Sequence, residues 1–228
     1  MVCAVIVAGG SSNRMGFDKL FSLIGDKPVI ARTIERFEKC EEIDAVILVV
    51  RPERRVEFQK LVDSFRFTKI YSFADGGSER HLSVWNGLQR LPEGCEIVAV
   101  HDAARPFVSS ELIGQCVQSA KQCGAVSLAA PIIETIKRAD SGQNVTESVD
   151  RTGLWAMQTP QVFRRDWLLA AYKRVVDSGC AVTDEVSAMQ EAGYPVRLLK
   201  NADWNIKITF PNDLELAEKL IGIGHIRF

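Results

Sequence analysis

A glycine pair followed by two isolated cations, near the start of the chain, is a pattern that could bind phosphate. The segment 4–19 reads AVIVAGGSSNRMGFDK, in which an apolar run breaks into a small polar loop with Arg14 and Lys19 behind it. Backbone N–H groups can close on an anion where side chains are small, and Arg and Lys can then hold its charge. We therefore predict a phosphate-binding loop here. The alternative is the plain end of a buried strand followed by a flexible loop.

This loop differs from two widespread phosphate-binding signatures. No third glycine falls where the dinucleotide pattern GxGxxG requires one, and no GK[ST] follows as in a Walker loop. The prediction therefore depends on the composition of the loop and on what the rest of the chain places beside it.

Polar and charged residues also follow the other predicted strands. One strand ends in Asp75-Gly76-Gly77-Ser78, another leads into HDAARP at residues 101–106, and Lys207 lies in the short segment NIKIT. Ligands of open parallel sheets bind outside the carboxyl ends of the strands. Four cations are therefore predicted to converge around a polyanion: Arg14, Lys19, Arg151 and Lys207.

Four of the residues in these segments also have purely structural interpretations. Lys207 could extend from an apolar strand to solvent, and Arg151 could pair with Asp150 at the surface. Asp102 could cap the turn that follows it, and we expect His101 to pack within its strand rather than act as a base.

Composition limits the class of protein. The chain has 228 residues, is 46% hydrophobic and carries a formal net charge of −1, so a single large domain without a global basic field for nucleic acid is expected. No apolar run approaches the length of a membrane span, and no charged leader precedes the first run. The six cysteines are scattered without a CxxC pair, which is typical of reduced thiols. We expect a cytoplasmic protein that binds neither nucleic acid nor membrane.

Strand-like and helix-like patterns alternate along the chain. Runs that are apolar on both faces suit parallel strands covered by helices on both sides, so a doubly wound, mainly parallel α/β sheet is predicted. The predicted strands include Val2–Ala8, Ala45–Val50, Ile97–Val100, Ala125–Ala130, Val196–Leu199 and a short one at Ile206–Thr209. The predicted helices are Pro28–Cys40, Pro52–Phe65, Ser78–Leu91, Ser109–Cys123, Arg164–Ser178, Thr183–Ala192 and Pro211–Ile221.

The alternation stops at Pro131, where residues 132–151 predict a polar hairpin. Its strands are expected at Ile132–Arg138 and Val145–Val149, joined by a turn rich in Asp, Ser, Gly and Asn. The hairpin is too polar to form a core of its own. It is either an arm that packs on a partner subunit or a surface hairpin folded back on its own domain.

Six motifs, taken together, give the chain a specific resemblance. AGGSSNRMG, DGGSERHLSV, VHDAARPF, VDRTGLWAMQTPQVF, TDEVSA and NIKITFPNDLELAE follow in this order. In this respect the chain resembles the 2-C-methyl-D-erythritol 4-phosphate cytidylyltransferase family of the non-mevalonate isoprenoid pathway, over nearly its whole length. The first motif alone would fit a molybdenum-cofactor guanylyltransferase almost as well. The family often has AAGxGxRM there, and Gly9 and Ser12 replace its second Ala and second Gly.

The resemblance implies a nucleotidyltransferase that uses CTP, a sugar phosphate and Mg²⁺. Arg14 and Lys19 would neutralise the triphosphate, while Arg151 and Lys207 would hold methylerythritol phosphate for attack on the α-phosphorus. The metal would be held mainly by CTP phosphates, with no dedicated protein ligand. The implied substrate-binding residues are Ala8, Gly9, Gly10, Ser11, Ser12, Gly77, Ser78, Ser83, Asp102, Ala103, Arg105, Thr135, Thr159 and Thr183.

The resemblance also implies a homodimer in which the hairpin of residues 132–151 crosses to the partner. Two other functions remain open at this point. One is a ribitol-5-phosphate cytidylyltransferase, which shares the nucleotide and uses a similar polyol phosphate. The other is a protein that binds CTP without turnover, although four cations aimed at one centre exceed what binding alone requires.

Overall fold

The computed structural model describes residues 1–10 and 18–222, and Ser11, Ser12 and Arg14 lie outside the described residues. In this part of the chain the main sheet has seven strands, in the spatial order β11-β7-β10-β6-β1-β4-β5. These strands are β1 (Val2–Val7), β4 (Ala45–Val50), β5 (Ile70–Asp75), β6 (Ile97–Asp102), β7 (Ala125–Pro131), β10 (Trp155–Arg164) and β11 (Arg197–Lys200). All neighbours in it are parallel except β10, which is antiparallel to β6 and β7.

Two short hairpins and a set of helices complete the described chain. The hairpins are β2 (Leu23–Ile24) with β3 (Lys27–Pro28), and β8 (Ile136–Ala139) with β9 (Val145–Val149). The helices are α1 (Val29–Lys39), α2 (Arg55–Phe65), α3 (Arg80–Leu88), α4 (Ser110–Cys123), α5 (Arg165–Ser178), α6 (Glu185–Glu191) and α7 (Pro211–Gly222). Within residues 1–10 and 18–222, every helix is too short or too polar to cross a membrane.

The central strands are buried on both faces, which confirms the predicted doubly wound sheet. Along β1, Ala4 and Ile6 face a core that includes side chains of α1, α2, α4 and α7. Cys3 and Val5 face the opposite core, which includes side chains of α3, α5 and α6. Because both faces are covered, polar side chains can meet ligand only at the strand ends.

The predicted elements are mostly found where the patterns placed them, with two differences. Residues 206–209 form no regular strand, although Ile208 N donates to Ala104 O at 2.8 Å and so holds the segment against the loop after β6. The second difference is β10, an unpredicted strand that lies between β6 and β7. Its register shifts between Met157 and Gln161, so it lacks the continuous apolar run of its neighbours.

The β8–β9 hairpin is shorter than predicted and largely exposed. Its first strand begins at Ile136 rather than Ile132, and Ile133 and Val145 are exposed apolar side chains. The hairpin's own ladder runs from Ile136 opposite Val149 to Ala139 opposite Val145. The structure thus contains the predicted hairpin, while its role in dimerisation stays a prediction.

The C-terminal ends of α4 and α5 offer a test of packing. Gly124 and Gly179 both cap their helices with positive φ, at +89° and +67°, and a Cβ on Gly124 would collide with the ring of Trp167. A Cβ on Gly179 would meet open space. Gly179→Ala should lower the free energy of unfolding by about 1 kcal/mol, the cost of a left-handed alanine. Gly124→Ala should cost about 1–3 kcal/mol more, because overpacking is added and because its backbone, at φ +89° and ψ −33°, lies outside the left-handed region of Gly179.

Urea unfolding of both variants and the native protein measures the difference. Equal losses in the two alanine variants would contradict the packing role assigned to Gly124.

Candidate active site

A pocket of about 760 Å³ opens at the carboxyl ends of β1, β5 and β6. Three backbone hydrogen bonds join these ends to each other or to the end of β4 between them: Ala8 N to Val49 O, Gly76 N to Val50 O, and Ala103 N to Val7 O. The pocket collects ten of the predicted site residues. They are Ala8, Gly9, Gly10, Lys19, Gly77, Ser78, Ser83, Asp102, Ala103 and Lys207.

The glycine loops after β1 and β5 touch each other. A Cβ on Gly9 would lie 3.2 Å from Gly76 Cα and 3.3 Å from Ser83 Oγ, so backbone meets backbone here. At Gly77 a Cβ would lie 2.5 Å from that of Leu82. Any larger side chain at Gly77 would therefore displace the start of α3.

The hydroxyl of Ser83, on α3, is hydrogen-bonded to the glycine loop that follows β5. It accepts from Gly77 N at 3.0 Å and donates to Glu79 O at 3.0 Å. The loop is consequently shaped before any ligand arrives, and its exposed Ser78 borders the pocket.

A hydrogen bond connects Lys19, which follows the first glycine loop, to the segment that contains Lys207. Lys19 Nζ donates to Ile208 O at 3.0 Å, and Lys207 is the neighbouring residue. Two lysines from distant parts of the sequence thus border one pocket, as an anionic ligand requires.

Asp102 is a buried carboxylate shared by three cations. Its Oδ2 lies 2.7 Å from Lys207 Nζ and 3.6 Å from Arg105 Nε, while its Oδ1 lies 3.1 Å from Arg80 Nε. Burial alone would raise the pKa of Asp102. Arg80 and then Lys207 and Arg105 outweigh it and hold that pKa well below its usual range.

Sequence reasoning missed the partner that holds Arg80. Glu185, fully buried at the start of α6, accepts from Arg80 Nη1 at 2.6 Å and from Nη2 at 3.1 Å. Tyr172 OH donates to the same carboxylate at 2.9 Å. The motifs DGGSERHLSV and TDEVSA contain both members of this pair, but a contact between residues this far apart leaves no mark in local periodicity.

His101 and Thr159 form a second buried connection behind Asp102. Arg105 O can only accept, so His101 Nε2–H donates to it at 3.1 Å. The Thr159 hydroxyl then donates to His101 Nδ1 at 3.1 Å and accepts from Asp102 N at 3.1 Å. Burial lowers the pKa of His101 to about 4, which favours this neutral form. His101 is thus a packed strand residue, as predicted.

Three predicted site residues lie away from the pocket in this single chain. Thr135 and Arg151 are exposed at the base of the hairpin, where Arg151 Nη1 donates to Ile133 O. Thr183 is exposed and borders a separate groove beside β10 and β11. Two others support the pocket from behind, since Arg105 and Thr159 contact Asp102 or its backbone.

The geometry favours binding and charge stabilisation rather than nucleophilic attack by the protein. Its glycine loops present backbone, its lysines present charge, and among the described residues that line it none is a histidine or a cysteine. Such a site suits a reaction between phosphates. A doubly wound sheet with these features at its strand ends suits a protein that binds a nucleotide or another phosphate ligand.

The family follows from comparison with known sequences. The profile described as IspD, 2-C-methyl-D-erythritol 4-phosphate cytidylyltransferase, matches residues 2–222, and the chain belongs to this family.

Relatives and solved structures agree. The 2-C-methyl-D-erythritol 4-phosphate cytidylyltransferase of Geobacillus thermodenitrificans is 40% identical over 220 residues, which cover 96% of each chain. The bifunctional enzyme IspD/IspF of Desulforudis audaxviator is 42% identical over 226 residues, which cover 98% of this chain and 57% of the relative. The crystal structure of 4-diphosphocytidyl-2C-methyl-D-erythritol synthase from Anaerococcus prevotii matches with a TM-score of 0.85 at 27% identity, covering 97% of this chain and 98% of that one.

The buried neutral His101 predicts how stability depends on pH. Its folded pKa of about 4 lies below the ordinary value of 6.5, so the unfolded chain takes up the proton first as the pH falls. The contribution is complete above pH 6.5 and is lost as the pH falls toward 4, by about 3 kcal/mol in total. Urea unfolding from pH 7 to 4.5 should show this loss.

The variant His101→Gln should lose most of this slope, whatever its stability at pH 7. His81→Gln is the matched control, because it leaves His101 in place and should retain the slope. An unchanged slope in His101→Gln would show that other groups control the acid dependence.

Proposed function

We propose that this chain transfers the cytidylyl group of CTP to 2-C-methyl-D-erythritol 4-phosphate. A phosphate oxygen of the acceptor attacks the α-phosphorus in line, the bond between that phosphorus and the bridging oxygen to the β-phosphate breaks, and pyrophosphate leaves. The products are 4-diphosphocytidyl-2-C-methyl-D-erythritol and pyrophosphate. The observation that carries the proposal is the meeting of Lys19, Lys207 and two glycine loops at one pocket in a member of this family.

The nucleophile brings its own charge, so the protein needs no base. A phosphate monoester has a second pKa near ~6 and is mostly dianionic at pH 7. The obstacle is repulsion between this dianion and the triphosphate, and fixed cations reduce it. In this proposal Lys19, together with Arg14, stabilises the triphosphate, while Lys207 holds the acceptor phosphate beside Asp102.

Recognition of the nucleoside is assigned to the two preformed loops. Gly77, Ser78 and Ser83 would contact the cytosine, and backbone of residues 8–12 would follow the phosphates. Asp102 would accept from a sugar hydroxyl through lone pairs that its cation partners leave open, with Ala103 beside it. Arg105, Thr159, Thr135 and Thr183 would support these contacts or the surrounding loops.

The proposed reaction also uses Mg²⁺. In the described part of the chain no group of three or more His, Cys, Asp or Glu side chains is arranged to hold a metal ion. Mg²⁺ usually keeps several waters and is held by substrate phosphates with one or two carboxylates, which fits an ion delivered on CTP. When bound, it would offset negative charge on the phosphates. The scattered free thiols of the chain suit a cytoplasmic enzyme.

Pyrophosphate release is the direct test. The protein should release pyrophosphate from CTP only when both methylerythritol phosphate and Mg²⁺ are present. Without methylerythritol phosphate the nucleophile is missing, and without Mg²⁺ the repulsion between the phosphates is not offset. A coupled phosphate assay, run in parallel with ribitol 5-phosphate, measures both reactions.

The outcomes separate the candidate functions. Turnover with ribitol 5-phosphate alone would replace the substrate. Saturable CTP binding without turnover of either polyol phosphate would indicate a non-catalytic binding protein.

We further infer a homodimer whose hairpin completes the partner's site. Within one described chain, Thr135 and Arg151 lie outside the pocket that holds Lys19 and Lys207, and the hairpin exposes Ile133 and Val145. A second copy could bury these side chains and bring Arg151 to the acceptor phosphate. Each site would then combine Lys207 of one subunit with Arg151 of the other.

Complementation tests this arrangement. Arg151→Ala and Lys207→Ala should each be nearly inactive alone, since every site lacks one cation. Mixed and re-equilibrated at equal amounts, they should recover about a quarter of native activity, because half the dimers are mixed and each has one intact site. Native mass spectrometry verifies that heterodimers form. Heterodimers without recovered activity would rule out the shared site.

A further inference from the structure

The motif TDEVSA contains a buried carboxylate with no part in the proposed reaction. Glu185 is fully buried, yet both its oxygens face the guanidinium of Arg80, which borders the pocket. A buried charge is expensive unless it is paired and hydrogen-bonded. Here it is satisfied by Arg80 and by Tyr172 OH.

The guanidinium of Arg80 donates hydrogen bonds to two different carboxylates. Nη1 and Nη2 point at Glu185, and Nε donates to Asp102 Oδ1 at 3.1 Å. A guanidinium is planar and rigid, so fixing its outer edge on Glu185 also fixes where Nε points. The other oxygen of Asp102 lies 2.7 Å from Lys207 Nζ. A continuous chain of contacts therefore runs from α6 to the lysine.

We propose that Glu185 is a positioning residue for the cytidylyl transfer, acting through Arg80 and Asp102 on the placement of Lys207. The inference rests on the proposed function, because it takes Lys207 as the group that holds the acceptor phosphate. Glu185 touches no reacting atom. It fixes a guanidinium, the guanidinium fixes a carboxylate, and the carboxylate holds the lysine at the pocket edge.

If Glu185 acted only through its negative charge, its neutralisation would have a different effect from the loss of a positioning contact. Among the described side chains of this cluster, three cations (Arg80, Arg105 and Lys207) face two carboxylates (Asp102 and Glu185). Neutralising Glu185 would add net positive charge beside a pocket for anions. If its charge alone mattered, Glu185→Gln would tighten substrate binding. If its geometry matters, the same variant slows turnover.

Steady-state kinetics of Glu185→Gln distinguish these cases. We expect kcat to fall by about 10- to 100-fold, as small misplacements of positioned groups do, when it is measured at a temperature where the melting curve shows the variant fully folded, because breaking a buried pair also lowers stability. Tyr172→Phe keeps the pair with Arg80 and should change kcat less than about threefold. Glu35→Gln breaks a partly buried pair with Lys27, neither of which lines the pocket, and should leave kcat unchanged. A lower KM with native kcat in Glu185→Gln would overturn the proposal.

A double-mutant cycle with Lys207→Ala separates positioning from general loosening. Once Lys207 is removed, Glu185→Gln should cost less than about twofold further in kcat/KM, because its effect passes through that lysine. Multiplicative losses would overturn the proposal. If Glu185→Gln fails to fold, Arg80→Lys serves in its place, since lysine keeps the charge but lacks the rigid planar fork that fixes Asp102 relative to Glu185.

A readout independent of turnover keeps this test separate from that of the function. Acetylation of lysines by limiting reagent, followed by mass spectrometry, reports how well each amine is held. Labelling of Lys207 should rise severalfold in Glu185→Gln, while that of Lys173, paired with Asp177 on α5, stays constant. Unchanged Lys207 labelling would refute the positioning role even in an active enzyme. An inactive native protein with the expected labelling would refute only the proposed function.

Discussion

A single buried carboxylate organises the charged side of the pocket. Asp102 ends a fully buried strand, and its charge is tolerated because Arg80, Arg105 and Lys207 reach it from three separate parts of the chain. Removing one partner of such a buried pair typically costs about 3–5 kcal/mol. The charge of the pocket and the stability of the fold therefore depend on the same ion pairs.

Elementary chemistry suggests that different parts of the pocket would contact the neutral and the charged parts of a nucleotide. Neutral parts of a nucleotide can be met by backbone, and the glycine loops around Gly9 and Gly77 expose backbone at close range. In the proposed function the charged parts would be met by Lys19 and Lys207, whose segments are joined by the hydrogen bond from Lys19 Nζ to Ile208 O. A site of this kind works by geometry and charge, so it carries no conspicuous nucleophile in its sequence.

The sequence predicted the parallel sheet and ten pocket residues, because continuous apolar runs and strand-end motifs are local signals. It missed β10, whose polar interruptions and register shift hide its strand character. It also left Arg80 and Glu185 without roles. These residues are 105 positions apart, and local sequence patterns do not reveal a pairing between residues so far apart. Residues 206–209 were wrongly predicted as a strand because their apolar alternation reflects packing of an irregular segment. Arg151 and Thr135 remain predictions, since one chain does not bring them to the pocket.

The contacts of Asp102 also bear on how the protein is made. Arg80 and Arg105 lie close to it along the chain, but Glu185 and Lys207 belong to the last fifth of the sequence. A chain emerging from the ribosome can therefore assemble β1, β4, β5 and β6 while its central carboxylate still lacks the lysine and the anchor of its arginine. The charged cluster around Asp102 is therefore complete only after the segment that carries Lys207 has joined the fold.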